Sequence, residues 1–550
     1  MGYNQEGTVA GMALSLGNVS GMALGTLLSR ATGVVRDIAL VAAIGTGIFS
    51  DTYSVANSLP NIIYILIAGG AINTIFIPAL VRHMNDDEDD GKEFTDRLLT
   101  LVAIVLVAIV VLALVASSVI VHLYATKTWG SSDFHVATVF ALWCIPQIIF
   151  YGIYTLCSQI LNTRNVFKLP MFAPIINNLI VITTALIFMA VTNKMPVTNL
   201  VTTNQLALLG AGTTLGVVAQ ALVLLPALSK NGYQYRPRFD FRNSGFGKLG
   251  DLAIWTIGFV LVNQISLLAI ARMTTYANVI AEQTGAVAIG FTSYQKGQLM
   301  MMLPHSIITV SIITALLPRL SKHSHSENLQ EFGTELAIAL RNVIVFVLPC
   351  AGILVFMGSQ IGIILYGHGA ATYEQGAAVG QISSMFALGL PAFSIFYVLL
   401  RTYYAQENTK TPFLLNLGFN ALHMGIGITL FLTMPDNLKV PSLAVAYSVA
   451  YVLVCGYTWR KVARRLNQVD TRQLLQLTVR VATAVVLAGL GGLLLAQLVA
   501  PDNTSASAGL QLLTFTIFFG LSALGLAKLM HISELTDLAV ALKARIVKKG

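Results

Sequence analysis

Apolar runs of about 20 residues recur along this chain from end to end, and they constrain its fold more than any other feature. Inside a bilayer the backbone N–H and C=O groups have to be hydrogen-bonded internally, and a helix of about this length does so while crossing the membrane. Charged residues make up only 10% of the 550 residues, against about 25% in soluble proteins. The sequence therefore predicts an all-α polytopic membrane protein.

The apolar runs divide into fourteen predicted membrane spans. These spans are 18–43, 52–80, 98–124, 134–160, 168–192, 205–229, 249–273, 284–318, 335–357, 376–400, 411–434, 440–459, 474–499 and 509–530. Segment 284–318 is too long for one straight crossing, so we expect it to bend near Pro304 or to project beyond the membrane.

Lysine and arginine residues concentrate in alternate loops between these spans. One side holds 25 of the 33 lysines and arginines, in 82–97, 164–168, 230–248, 319–341, 401–410, 460–472 and 528–549. The opposite loops hold only Lys127, Lys194 and Lys439, with Arg272 placed at the outer end of the seventh span. By the positive-inside rule, the basic side and both termini are expected in the cytoplasm. Topology also explains the net charge of +9, which in a soluble protein would suggest a nucleic-acid partner.

A weak internal repeat connects the fifth and the eleventh span. LNTRNVFKLPMFAPIINN opens one and AQENTKTPFLLNLGFN opens the other, and aligning Pro170 with Pro412 places Asn178 on Asn420. Six spans separate the two copies, so both halves have the same orientation, as in parallel transporter repeats. We therefore expect two six-helix lobes with the substrate path between them and two additional helices at the C-terminus.

The expected division of the chain has three parts. They are an N-terminal six-helix lobe at 1–230, a C-terminal six-helix lobe at 231–465, and helices thirteen and fourteen with a cytoplasmic tail at 466–550. The longest loop has about 20 residues, which is too short for a core of its own, so no soluble domain is expected.

Three basic residues lie inside predicted spans and away from the span ends, unlike Arg480, which lies near a cytoplasmic end and can snorkel. Arg30 and Arg36 belong to the first span and Lys296 to the eighth. A cation near the bilayer centre costs about 2.5–3.5 kcal/mol on insertion scales and normally faces a protein interior or a water-filled cavity, which predicts an anion-binding cavity. The alternative for the arginines is a structural pairing with Asp37 or with carbonyls, because a spacing of six puts them about 240° apart around the helix. For Lys296 the alternative is snorkelling to the outer surface.

The combination of motifs in this chain is specific. SRATGVVRD at 29–37 is followed by SDTYSVANSLPNIIYILIAGGAINTIFIPAL at 50–80, and ILNTRNVFKLPMFAPIINN, TALLPRLS and YYAQENTKTP come later. Together they resemble the MurJ/MviN lipid II flippase family of the MOP exporter superfamily, and the resemblance runs through all fourteen spans.

This resemblance implies two lobes arranged in a V around a central cationic cavity that receives the pyrophosphate and the sugar–peptide headgroup of lipid II. It implies a groove for the polyprenyl tail on helices thirteen and fourteen, and rocking between inward-open and outward-open states. The implied substrate contacts are Arg30 and Arg36, with Asp51 near the outer end of the second span. The implied location is the bacterial cytoplasmic membrane, with cell-wall synthesis or division proteins as candidate partners.

The chain departs from the family's pattern at two places. Where the family carries two arginines and then a glutamate after Leu-Pro-Asn, this chain has Tyr64, Ile65 and Gly69. Where the family carries an Asp-Arg pair in the eighth span, this chain has Gln298 and Leu299. Lys296 lies about one turn before Leu299 on nearly the same face, so we expect Lys296 to replace the missing arginine.

The same motifs supply candidates for gating and conformational change. Asp37 is expected to partner nearby basic groups, and Asp51 to act at an outer gate or merely as an exposed helix cap. The remaining candidates are Asn61, Gly69 and Gly70, of which the two glycines are expected to let helices approach closely or bend.

No Walker A, HExxH, GxSxG or paired CxxC motif occurs, so neither an enzyme nor a cofactor or metal site is expected. Energy would then come from the membrane potential, an ion gradient or consumption of the product outside. The favoured function is a flippase that moves undecaprenyl-pyrophosphate-linked lipid II from the inner to the outer leaflet by alternating access. The alternatives are a flippase for another polyprenyl-linked glycan, a MATE-like cation or drug antiporter, and a membrane scaffold. Cations placed mid-span argue against the scaffold.

Overall fold

The computed structural model describes residues 5–66, 91–192, 198–240, 250–325, 328–466 and 470–532, without the side chains of 5–23, 250–253 and 324–325. All regular secondary structure within these ranges is helical, which confirms the all-α class. The chain forms two compact units, Met1–Gln264 and Ile265–Gly550. The three-part division of the chain and the V of two lobes stay predictions.

The first unit packs its helices around an aromatic core. Its described helices are α1 (Gln5–Ile44), α2 (Ile48–Tyr64), α3 (Lys92–Val115), α4 (Ser117–Tyr124), α5 (Ser131–Cys144), α6 (Gln147–Thr163), α7 (Lys168–Val191), α8 (Thr203–Leu222) and α9 (Leu225–Lys230). A capping box starts α8: Thr202 N donates to Gln205 Oε1 at 2.9 Å, and Gln205 N donates to Thr202 Oγ1 at 3.4 Å. Between α2 and α5, the Phe140 ring centroid lies 5.8 Å from that of Phe49 and 5.4 Å from that of Tyr53. Helix α1 packs against α7.

The second unit begins within a long helix, α10 (Gly250–Thr284), whose first part belongs to the first unit. It continues with α11 (Phe291–Pro304), a π-helical turn (His305–Thr309), α12 (Val310–His325), α13 (Leu329–Tyr366), α14 (Tyr373–Ala387), α15 (Leu390–Tyr404), α16 (Lys410–Thr433), a 3-10 turn (Asp436–Leu438), α17 (Lys439–Ala463), α18 (Thr471–Val499) and α19 (Ser505–Leu529). Helices α13 and α14 touch through Gly358, Gly362, Gly376 and Gly380, where an added Cβ would lie under 3.0 Å from a backbone atom. Small residues allow this close approach.

Eleven helices in the described part of the chain are long and apolar enough to cross a membrane, and α14 with α15, bent by 49°, makes a twelfth. These twelve correspond to the third to fourteenth predicted spans. Of the other two, span 18–43 lies within α1, and span 52–80 begins in α2 and continues outside the described residues. The structure is therefore a multi-pass membrane fold, and the count of fourteen stays a prediction.

The seventh predicted span ends too early. Helix α10 continues to Thr284, so Arg272 lies inside a helix rather than at its outer end. The hydroxyls of Thr274 and Thr275 donate to the carbonyls of Ile270 and Ala271 at 2.7 and 2.8 Å, which accommodates polar residues inside the helix. The helix stops before Gly285, whose φ of 67° is a left-handed conformation that favours glycine.

The eighth predicted span also starts later than expected, because residues 286–290 are not helical and α11 begins at Phe291. Lys296 is therefore only roughly 8 Å of helical rise from the start of its helix. A span starting at residue 284, as predicted from the sequence, would have placed Lys296 about 18 Å from its start, and that depth is wrong. A π-helical turn, His305–Thr309, follows Pro304 directly, and the bend expected there stays a prediction. Proline lacks an N–H, so a helix deviates there at lower cost than elsewhere.

Candidate functional site

Arg36 lies in the C-terminal half of α1, where this helix packs on α7. Arg36 Nη1 donates to Asn178 Oδ1 at 3.2 Å. Arg36 Nη2 lies 3.5 Å from Asp37 Oδ2, and the two side chains are 32% and 8% exposed. Neighbouring residues on a helix point about 100° apart, and 3.5 Å is long for a charge-assisted hydrogen bond. Asp37 thus pairs with Arg36, as expected of a structural partner, but through a single long contact to one nitrogen of the guanidinium group.

Four guanidinium nitrogens are buried and have no hydrogen-bond partner among the described residues. The two that belong to this site are Arg30 Nη1 and Arg36 Nε, while Arg164 Nε and Arg401 Nε, elsewhere in the described part of the chain, are in the same state. A buried donor without an acceptor costs about 1–3 kcal/mol, and more when it is charged, so a ligand or water is expected to satisfy it. Arg30, Arg36 and Asp37 together leave one net positive charge in this part of the unit. An anion with several oxygen atoms is the ligand that matches guanidinium donors of this kind.

Asn178 is a residue of this site that sequence analysis placed only in the internal repeat. It is 4% exposed. Its Nδ2 donates to the Ser29 carbonyl at 3.1 Å and to Thr32 Oγ1 at 2.9 Å, while its Oδ1 accepts from Arg36. Asn178 therefore ties α7 to α1 and holds one nitrogen of the Arg36 guanidinium. The alignment with Asn420 singled it out, but it could not reveal these contacts.

Three of the predicted gating residues, Asp37, Asp51 and Asn61, lie within the described part of the chain. Asp51 is fully buried in the first turn of α2, which does not fit the exposed-cap alternative. A carboxylate in the first turn is stabilised by the positive end of the helix dipole. Asn61 is exposed on the same helix. Gly69 and Gly70 lie outside the described residues, and the gating roles of all these residues stay predictions.

Lys296 belongs to the second unit, where it is half-buried on α11. The next residue, Gly297, packs so closely on α14 that an added Cβ would lie 2.7 Å from Ile382 Cγ2 and 3.1 Å from Ser383 N. This contact places α11 directly against α14 at the level of Lys296. The role of Lys296 in binding an anion stays a prediction.

Arg272 is a second basic residue within a candidate membrane-spanning helix of this unit. It is half-buried in α10, twelve residues before the helix ends at Thr284. No glycine or proline occurs between Arg272 and Thr284. That absence was a signal that the helix continues, but the polar residues of this stretch lowered its hydropathy. A half-buried arginine within a membrane helix is a candidate functional group.

Helices α18 and α19 pack on each other and on α13. An added Cβ at Gly492 of α18 would lie 2.9 Å from the Phe515 ring of α19, so small residues bring these two helices together. Leucines on their outer surfaces are largely exposed: Leu494 at 64%, Leu498 at 81% and Leu521 at 70%. Such surfaces suit hydrocarbon, and the groove for a polyprenyl tail stays a prediction.

The chain is similar to one protein family over most of its length. The model of that family, described as lipid II flippase MurJ, matches residues 40–508, which begins after Arg30 and Arg36 and includes Asp51 and Lys296. The lipid II flippase MurJ of Burkholderia cenocepacia is 28% identical over 427 residues, covering 76% of this chain and 77% of that protein. The probable lipid II flippase MurJ of Thermotoga maritima is 27% identical over 431 residues, covering 78% and 81%.

Solved structures share the fold. A lipid II flippase MurJ in an inward closed conformation has a TM-score of 0.71 at 20% identity, covering 92% of this chain and 98% of that one. An inward-facing multidrug resistance MATE family transporter of the MOP superfamily has a TM-score of 0.62 at 12% identity, covering 80% and 95%. At these identities the likeness shows the fold alone, so the MATE structures do not favour the antiporter alternative.

Proposed function

Because this chain belongs to the lipid II flippase MurJ family, we propose that it is a flippase that moves lipid II from the inner to the outer leaflet of the bacterial cytoplasmic membrane. The family match over residues 40–508 is the observation that carries this proposal. The movement occurs by alternating access, and the chain neither makes nor breaks a covalent bond. It needs no cofactor.

In this proposal the pyrophosphate of the substrate accepts hydrogen bonds from the guanidinium groups of α1. The support is that Arg30 Nη1 and Arg36 Nε are buried donors without a partner in the described part of the chain. Asn178 holds Arg36 Nη1, so the guanidinium plane is oriented before the substrate arrives. An oriented arginine fork loses less side-chain freedom on binding than a flexible cation does.

The remaining roles follow the family's pattern. Lys296 adds positive charge from α11, and Asp37, Asp51 and Asn61 act in gating, while Gly69 and Gly70 let the second span bend. Helices α18 and α19 accommodate the polyprenyl tail against exposed leucines such as Leu498 and Leu521. Proteins of cell-wall synthesis or division are candidate partners that would supply or consume the lipid.

We propose that the membrane potential biases the direction of transport. The cell interior is negative, so moving a negative charge outward releases about 2.3 kcal/mol per charge for each 100 mV. A pyrophosphate headgroup that crosses with part of its charge unneutralised is therefore driven outward. An ion gradient that resets the empty carrier is the second source compatible with a chain that carries no recognisable ATP-binding motif.

The experiment is complementation of a strain depleted of its own lipid II flippase, scored by lipid II exposed on the outer face. We expect the parent chain to restore exposure, and Arg30→Ala and Arg36→Ala each to abolish it at matched membrane levels. Arg36→Lys retains charge but loses the fork, so it should restore exposure only partly. Failure of the parent chain, with normal insertion, would refute the proposed function. Full activity of both alanine variants would refute only the assignment of the anion site.

A further inference from the structure

Two cavities lie along the same three helices of the second unit, α13, α15 and α17, and we call the surface that carries both of them the furrow. The larger cavity has a volume of about 460 Å³ and the smaller one of about 260 Å³. All three helices line both cavities: α13 with Ile344 and Phe332, α15 with Ile395 and Tyr403, and α17 with Trp459 and Val462. The smaller cavity lies at the ends of the helices, and the larger one extends toward their middles and is closed on one side by the start of α18.

The smaller cavity offers a cation and neutral polar groups. Arg465 lines it together with Thr402, Tyr403 and Gln406, and no acidic residue does so in the described part of the chain. The same end of α17 carries Arg460, Lys461 and Arg464. Three acidic residues are close to this cavity along the chain: Glu331 precedes the lining residue Phe332, Glu407 follows the lining residue Gln406, and Asp470 caps α18 by accepting hydrogen bonds from the backbone N–H groups of residues 472 and 473. The four basic residues at 460–465 exceed these three acidic residues by one, so this end of the furrow carries an excess of positive charge.

The larger cavity is apolar and open at its side. Leu388 is 53% exposed, Val452 53% and Leu475 62%, and each lines the cavity. A Cβ added at Gly456, which also lines it, would meet no atom within 4 Å. The space is thus an open slot bounded by hydrocarbon, and its volume lies in the range of about 300–1,000 Å³ that ligand pockets occupy.

We propose that this furrow binds one anionic phospholipid of the surrounding bilayer, with its phosphate at Arg465 and an acyl chain in the larger cavity. The order of groups along the furrow, cationic at the helix ends and apolar toward their middles, matches a phospholipid standing in one leaflet. Basic pockets between membrane helices take acidic phospholipid headgroups. A single lining cation with neutral donors suits a phosphodiester, which carries one negative charge, better than a pyrophosphate. None of the lining residues belongs to the anion site of α1, but the larger cavity is closed by the start of α18, which the proposed function assigns to the polyprenyl tail, so the test has to distinguish the two lipids.

Trp459 lines the larger cavity and permits a direct test. The chain has four tryptophans, and replacing Trp129, Trp143 and Trp255 by phenylalanine leaves Trp459 as the only one. This variant is reconstituted in phosphatidylcholine vesicles that contain increasing fractions of brominated phosphatidylglycerol or brominated phosphatidylcholine, and quenching of Trp459 fluorescence is measured. We expect half-maximal quenching at a several-fold lower mole fraction of the brominated phosphatidylglycerol.

Two matched pairs of variants locate the lipid. Arg465→Gln should abolish the preference for phosphatidylglycerol, whereas Arg464→Gln, on a neighbour that is also exposed but lines neither cavity, should retain it. Gly456→Phe fills the slot and should reduce quenching by both lipids. Gly425→Phe is the control, because an added Cβ there also meets no atom within 4 Å but the residue lies on α16, outside the furrow.

Three results would overturn the proposal. Equal quenching by the two lipids at every fraction would mean bulk lipid only. A preference that survives Arg465→Gln would place the anionic lipid elsewhere. Displacement of the brominated phosphatidylglycerol by an equal fraction of undecaprenyl pyrophosphate would assign the furrow to a polyprenyl chain. If the parent chain fails to flip lipid II but none of these three results is seen, only the proposed function is refuted.

Discussion

The hydroxyl of Tyr233 donates a 2.7 Å hydrogen bond to Asp96 Oδ1 and thereby fixes the segment after α9 to the start of α3. Arg236 N donates to the same oxygen at 3.3 Å, and Arg238 N donates to Thr100 Oγ1 at 3.1 Å. Tyr233 is 2% exposed, and its burial together with the bond to Asp96 raises the pKa of the phenol. The phenol therefore remains a donor to Asp96 across the working pH range.

Tyr233→Phe is expected to destabilise the first unit, because it removes this bond while it retains the packing of the ring. A hydrogen bond to a charged group contributes about 1.5–3 kcal/mol. Thermal unfolding of the purified protein in detergent measures the loss. The matched control is Tyr235→Phe, since Tyr235 is 45% exposed and bonds to Thr100 Oγ1 at 2.8 Å. Equal melting temperatures for the Tyr233→Phe variant and the parent would mean that the bond to Asp96 does not hold this segment.

An ion pair at the far end of the same segment predicts that the stability of this segment depends on pH. Asp240 Oδ2 lies 2.9 Å from Arg97 Nε and 2.6 Å from Arg97 Nη2, and this hydrogen bonding lowers the pKa of Asp240 below 3.8. The pKa of Asp240 is thus lower in the folded state than in the unfolded state. The ion pair therefore stabilises the segment at pH values above the unfolded-state pKa, and this stabilisation is lost as the pH falls through the folded-state pKa.

We therefore expect amide hydrogen exchange in 233–240 to accelerate below about pH 3.8 beyond the intrinsic pH effect in the parent. Asp240→Asn should exchange faster already at pH 6 and show no such additional acceleration. Because the pair is partly exposed, high salt should weaken its effect in the parent and not in the variant. An identical pH profile for both proteins would exclude a role of this pair.

The glycine contact between α13 and α14 predicts a strong dependence on side-chain size. A Cβ added at Gly380 would collide with the Gly358 carbonyl, which cannot move aside as a side chain can. Gly380→Ala should therefore destabilise the second unit by about 1–3 kcal/mol. Gly418→Ala is the control, because nothing lies within 4 Å of its added Cβ and alanine favours the helix by up to about 1 kcal/mol. Thermal unfolding should separate the two variants in opposite directions, and similar shifts would contradict the close packing.

The spans could be predicted from sequence because hydropathy depends on local composition and the bilayer fixes the length of each crossing. Helices from Lys92 to Leu529 match twelve of the predicted spans. The helix end at Thr284 could not be placed in this way, because threonine hydroxyls bonded to their own helix leave a helical stretch that reads as polar. Hydropathy measures solvent preference, whereas the position of a helix end depends on backbone hydrogen bonds.

The candidate site was predictable only in its charges. Arg30 and Arg36 stand out because cations are costly in apolar surroundings. Asn178 carries no such signal, since its importance lies in three contacts with residues 142 to 149 positions away along the chain. The burial of Asp51 was equally invisible, because a sequence shows a cap-like position but not the helices that cover it.

Asn178→Leu tests whether orientation of Arg36 matters for transport. Leucine has similar volume and should retain much of the contact between α1 and α7, but it removes the acceptor for Arg36 Nη1. We expect flipping to fall at least tenfold, with a smaller loss when Thr32→Val removes only one of the three bonds. Gly33→Ala is the control at the same contact, where the added Cβ would lie at an ordinary 3.6 Å from Asn178 Nδ2. Binding of a short-chain prenyl pyrophosphate should weaken for Asn178→Leu and not for Gly33→Ala, a difference that loss of packing alone would not produce.

Lys296 allows the sharpest distinction between a substrate contact and a snorkelling cation. Its position roughly 8 Å from the start of α11 leaves snorkelling open as an alternative, so depth does not decide the question. If it presents charge to a pyrophosphate, Lys296→Arg should retain flipping and Lys296→Gln, of similar polarity, should lose it. Combining Lys296→Gln with Leu299→Arg should restore part of the activity, because Leu299 is half-buried one turn further on the same face.

A snorkelling lysine predicts a different pattern: Lys296→Gln would flip lipid as the parent does, and Leu299→Arg would impair insertion. Complementation and outer-leaflet exposure at matched expression measure all three variants, and parental activity of Lys296→Gln would leave the cationic character of the site to Arg30 and Arg36.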